Sequence, residues 1–190
     1  MLYVVATVAI VAWTFRYMSP SSSYGMHKVS GYTVRDPTDT KTVENLKHLS
    51  KITTDLFSII QDNPKYASHK GLRRIVDRFK CPDGICRIQE LSYENYGHVA
   101  YSEDKGGLIG MCMIHEGKHV DENTMVFVYL HELSHIMSQK YGHDKEFWNN
   151  FQFLLEIAIN HRLYTYEPYH KLNVTYCGHP IEFTPYIKPS

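Results

Sequence analysis

The run Val126-Phe127-Val128-Tyr129-Leu130 leads directly into His131-Glu132-Leu133-Ser134-His135, and this junction constrains the fold more than any other feature of the chain. So apolar a stretch starts an element deep in a core, yet the same element continues with two imidazoles and a carboxylate. The spacing predicts a helix over Thr124–Tyr141, with Leu133 and Met137 prolonging its apolar side. Residues four apart share one helix face, so His131 and His135 can both reach a single ion at about 2.0–2.1 Å. Glu132 stands one position round the helix. It is badly placed to join that ion but well placed to hold a water molecule and take its proton. Polar groups on so buried a helix destabilise it unless an ion or polar partners satisfy them.

Beyond Lys140 the chain reads Tyr141-Gly142-His143-Asp144-Lys145-Glu146-Phe147-Trp148. Gly142 suits the end of the helix and a chain reversal, and Asp144 suits the cap of a following helix, Asp144–Arg162. His143 then lies in the turn, where it can fold back towards the other two imidazoles, with Phe147 and Trp148 buried behind it. Three histidine ligands leave one tetrahedral position for solvent, which is the arrangement of a catalytic rather than a structural zinc site. Glu156, on the next helix, is the competing third ligand, and His143 is preferred. The metzincin pattern is excluded, because Ser138 and Tyr141 occupy the positions where it has Gly and His.

His131-Glu132-x-x-His135, then Gly142-His143, then Phe147-Trp148 resembles the WLM metallopeptidases, minimal zincins related to the SprT/Spartan group. The resemblance spans roughly residues 108 to 183. Tyr176-Cys177-Gly178 further resembles small membrane-anchored members encoded by large DNA viruses. It implies an α+β, zincin-like (minimal gluzincin) domain with a small antiparallel sheet on the helix that carries the motif. It also implies Zn2+ held by His131, His135 and His143, and peptide-bond hydrolysis in which Glu132 assists attack by a metal-activated water. Two departures stand out: the loop between His135 and His143 is slightly longer than the compact family form, and the basic segments of cellular members are missing. Substrate is expected to join the strand near Leu108–Ile114 as an added strand. Tyr164, Tyr166, Tyr169 and His170 are candidates to stabilise the oxyanion, against a plain packing role. The competing function is a structural virion component, a minor capsid or membrane-tethering protein that keeps the fold with little or no activity.

Lys plus Arg and Asp plus Glu both number 20, so there is no clustered positive field to favour nucleic acid. The peptide or protein substrate and a membrane are the partners expected. Residues 2–18 are expected to form a single-pass anchor, since Leu2–Phe15 carries neither a charge nor a strong helix breaker and no Lys or Arg precedes it. Residues 19–40 read as a linker and 41–190 as the domain. A helix is expected over Lys41–Gln61, capped by Asp39 or Thr40 and ended by Asn63-Pro64, and a shorter one over Ala67–Phe79. Three strands follow in Cys86–Leu91, His98–Glu103 and Gly107–Ile114, separated by Asn95-Tyr96-Gly97 and Asp104-Lys105-Gly106-Gly107. A hairpin is expected to turn at Cys177-Gly178-His179-Pro180. Cys81 and Cys86 bracket a turn that can bring them to bonding distance, the alternative being two buried thiols. Asn173-Val174-Thr175 is a glycosylation sequon, with Asn173 the acceptor.

Overall fold

The computed structural model describes residues 25–91 and 98–186. A tight hairpin opens it, β1 (His27–Val29) and β2 (Tyr32–Val34), turning through Ser30 and Gly31, both with positive φ. These residues were expected within the linker. They join the sheet instead, because Tyr32 and Val34 are buried in its core. Helix α1 (Thr40–Asp62) follows, capped by the Asp39 carboxylate accepting from Thr42 N at 3.2 Å and ended at Asn63 ahead of Pro64. Its buried stripe is Val43, Leu46, Leu49, Ile52, Leu56 and Ile60. Next come α2 (Pro64–Ala67) and α3 (Lys70–Arg78), the latter starting later than expected because His69 Nδ1 caps it by accepting from Leu72 N.

The strands β3 (Ile88–Glu90), β4 (Ala100–Glu103) and β5 (Leu108–Met111) fall within the three segments expected. Their arrangement does not match an antiparallel three-stranded sheet. The sheet has five strands in the order β1-β2-β3-β5-β4, and both β2–β3 and β3–β5 run parallel. The helical crossover through α1–α3 returns the chain in the direction of β2, which imposes the parallel pairing. Arg35 fastens this seam, its N and Nε donating to the buried Glu90 carboxylate at 2.8 and 2.6 Å. β5 is paired on both sides, so it cannot accept an added strand. Among the described residues the free edge beside the motif helix belongs to β4.

A short hairpin, β6 (Ile114–His115) and β7 (Lys118–His119), leads to α4 (Glu122–Met137) and α5 (Lys145–Asn160). α4 packs against α1, α3, α5 and β4 and so lies at the centre of the core. The tail closes with β8 (Val174–Tyr176) and β9 (His179–Ile181), turning at Cys177-Gly178 as expected. Two disulfides staple the fold: Cys81–Cys86 across the Pro82–Gly84 turn, and Cys112–Cys177, which fastens the tail hairpin to the end of β5. Asn173, the residue before β8, is exposed.

The segment 2–18 and the turn at Asn95-Tyr96-Gly97 lie outside the described residues. Among the described residues no helix is long and apolar enough to cross a membrane. The membrane location is corrected accordingly. Even the longest helix, α1, carries Lys41, Glu44, Lys47, Lys51 and Asp55 on the face opposite its buried stripe.

Candidate metal centre

α4 starts where Asp121 accepts from Thr124 N at 2.8 Å and buries Met125, Val126, Tyr129, Leu130, Leu133 and Met137. It ends at Met137, earlier than the expected Tyr141. Ser138 turns extended, and its hydroxyl donates to the Ser134 carbonyl at 2.8 Å, competing with the helical ladder. The chain then loops back through Gly142, whose φ of +88° suits a residue without Cβ, and α5 starts on the Asp144 carboxylate, which accepts from Phe147 N at 3.0 Å. This loop delivers His143 to the face of α4 that carries His131 and His135.

The three imidazoles converge. One nitrogen from each lies within 4.8 Å of the others, and Nε2 of His143 stands 3.0 Å from Nε2 of His131. Ligand nitrogens around a tetrahedral zinc are about 3.3 Å apart, given Zn–N bonds of about 2.0–2.1 Å. Ring centroids are 5.0 Å apart for His131–His135 and 4.9 Å for each pair with His143. Phe147 forms a common floor, its ring 4.8, 4.4 and 4.5 Å from those of His131, His135 and His143. Trp148, expected to bury, is instead exposed on one side and packs on His143 at 5.6 Å, and on Phe147 and Phe183. Glu156 is exposed on α5 and is not brought to the cluster.

This environment keeps the rings neutral. Burial holds His131 well below the usual imidazole range, with His135 and His143 adding repulsion. Burial, then His143 and Lys105, takes His135 down to about 3, and burial lowers His143 as well. A neutral imidazole offers a lone pair, so the trio is poised for a cation rather than for protons. Nδ1 of His135 is buried with no hydrogen-bond partner among the described residues, so protein atoms alone leave the cluster incompletely satisfied. An all-nitrogen set of this number and spacing fits Zn2+.

Glu132, the next residue on the helix, is buried, and that burial pushes its carboxyl up to about 8 against the opposing hydrogen bond from Ser102. Ser102 comes from β4 and was not singled out from sequence, since nothing local marks which β4 residue faces α4. Tyr176, which entered only through the tail resemblance, was not expected beside Glu132. It is buried, its hydroxyl donates to the Cys112 carbonyl at 2.6 Å, and burial together with the nearby Glu132 charge pushes its phenol up. The expected oxyanion candidates are elsewhere. Tyr164 and Tyr169 pack on Phe127 at 6.0 and 4.6 Å, one turn before the motif, Tyr166 packs on Tyr186, and His170 is exposed. Ring packing is what the structure shows for those tyrosines.

No protein-family model and no solved structure matches the chain. It is similar to an uncharacterized protein of Acanthamoeba polyphaga mimivirus, 33% identical over 98 residues, which cover 48% of this chain and 50% of that protein. It is also similar to an uncharacterized protein of Invertebrate iridescent virus 3, 33% identical over 73 residues, which cover 37% of this chain and 45% of that protein. The chain thus spans about half the length of the curated relatives it matches. Their descriptions state neither an activity nor a place in a virion, so the virion expectation has no support from them.

Proposed function

We propose that this protein is a zinc-dependent peptidase with a zincin-type centre, in which His131, His135 and His143 hold the ion and Glu132 is the general base. The observation that carries this reading is the convergence of His131, His135 and His143 on one point, beside the buried carboxyl that α4 carries at Glu132. The WLM-type resemblance belongs to the same proposal. Zinc held there supplies Lewis acidity, acidifying water and polarising a carbonyl.

The chain's own residues do the rest. With a divalent ion held by the triad, Glu132 would ionise and serve as a base, where burial alone keeps it protonated. Glu132 takes the proton of the attacking water and returns it to the leaving amine. Ser102 fixes the carboxyl's orientation through its hydroxyl. The edge of β4, outermost among the described strands, receives an extended substrate segment by main-chain hydrogen bonding.

The test is metal content and cleavage of unstructured peptides by the full chain, with Glu132→Gln and His143→Ala beside it. Glu132→Gln should keep about one zinc per chain and lose a factor of about 10²–10⁴ in turnover. His143→Ala should lose zinc. A parent that takes up no zinc, or a Glu132→Gln variant as active as the parent, would end the reading.

A further inference from the structure

Beyond the ligands, the segment that places the third of them is held from outside its own helices. Residues 135–140 form the end of α4 and the start of the loop to His143, and their carbonyls have no helical partner. Nζ of Lys105 donates to three of them: His135 O at 3.0 Å, Ser138 O at 3.1 Å and Lys140 O at 2.5 Å. Nη1 of Arg74, from α3, donates to Met137 O and to Glu146 Oε1, the latter at 3.0 Å. The other oxygen of Glu146 accepts from Gln139 N at 3.1 Å. Two cations from two distant elements thus grip the backbone on both sides of the bend, and one of them touches a ligand residue directly.

The turn that presents Lys105 is built to aim it. In the β4–β5 connection Asp104 and Lys105 take φ of 45° and 53°, left-handed conformations uncommon for residues with a side chain. Gly106 follows at φ 116°, and a Cβ there would come within 3.1 Å of the Arg78 backbone, so the turn is seated directly on the end of α3. The Lys105 ammonium also lies 4.5 Å from the centroid of the Tyr141 ring, two residues before His143. Backbone strain retained at one lysine, whose amine then meets three carbonyls, marks a position where aim matters.

We propose that Lys105 and Arg74 are positioning residues for the metal centre: by gripping the bend between His135 and His143 they set the third imidazole against the other two. This rests on the reading of the triad as a zinc site. Neither side chain belongs to the triad, so apart from the charge that Lys105 brings near His135 the effect passes through the backbone.

The experiment uses the full chain. Zinc affinity is measured by competition with a chromophoric chelator, and ligand geometry by the visible absorption of Co2+ in place of zinc. Lys105→Met should weaken zinc binding about 10- to 100-fold, the range found when supporting partners of metal ligands are removed. Its Co2+ bands should weaken towards those of His143→Ala. Lys105→Arg, which keeps a cation and its donors, should recover most of both. Arg74→Met should shift both readouts the same way, and it carries the test if Lys105→Met does not fold. A lowered thermal midpoint with unchanged zinc affinity and Co2+ spectrum would make Lys105 merely structural and overturn the assignment alone. A parent that binds neither metal would overturn the zinc reading and this assignment together.

Discussion

Loading the centre with zinc at pH 6.0 should expel about one proton from Glu132, and fewer from the histidines than three free imidazoles would give. Three ordinary imidazoles titrating near 6.5 would be about three-quarters protonated at that pH and would release about 2.3 protons between them. Here burial lowers all three rings, His135 to about 3, so they have fewer protons to give than free imidazoles. Glu132 is the reverse case. With its carboxyl pushed up to about 8, it carries essentially a full proton at pH 6.0. A dication even ~7 Å away contributes ~5 kcal/mol at an effective dielectric of ~20, which moves a carboxyl down by ~3.5 pK units. That is enough to ionise it. Titration calorimetry in buffers of differing ionisation enthalpy counts the protons released. The parent should exceed Glu132→Gln by about one, and zinc affinity of the parent should rise with pH where that of the variant does not. Equal proton release from the two proteins would refute the coupling between carboxyl and ion, and release of two or more from Glu132→Gln would refute the neutral imidazoles.

Metal-free stability should fall on both sides of a maximum. The depressed histidines lose stability as pH drops from about 6.5 towards 3, whereas the raised Glu132 loses it as pH rises from about 4.5 through 8. Chemical denaturation across pH should show the alkaline limb flatten in Glu132→Gln; an unchanged limb would place the cause elsewhere. Phe147→Ala removes the floor shared by all three rings and should cost about 3–5 kcal/mol, lowering zinc affinity as well. A loss below 1 kcal/mol in denaturant would show that the floor repacks. Replacing Cys112 and Cys177 together by Ser should cost about 4 kcal/mol, from the loop entropy of a sequence separation of 65. A variant as stable as the parent would mean that the tail hairpin docks without its staple.

Much of the centre was legible in the chain itself. The i, i+4 spacing of His131 and His135 specifies a shared helix face wherever that helix forms, and the apolar run before it ensures burial, which in turn neutralises the rings. Asp39 and Asp144 cap their helices by side-chain reach, a local property, so those two starts were readable, whereas α4 starts at Glu122 on the unforeseen cap Asp121 rather than at Thr124. The end of α4 was not, because Ser138 and two distant cations decide it.

What remained was settled by packing between segments far apart. Alternation marks a strand but carries no direction, so the parallel pairing of β2 with β3 came only from the helical crossover, and that of β3 with β5, with β4 outermost among the described strands, only from the order of strands. His143 and Glu156 were both plausible partners by spacing; the loop through Gly142 turned one inward, and the face of α5 left the other exposed. Ser102, Tyr176, the Cys112–Cys177 bond and the Lys105–Arg74 grip have no signature within a few residues of themselves. The chain determines by itself which side chains share a helix face, since helical geometry is local; which distant groups meet that face depends on the closure of the whole core around it.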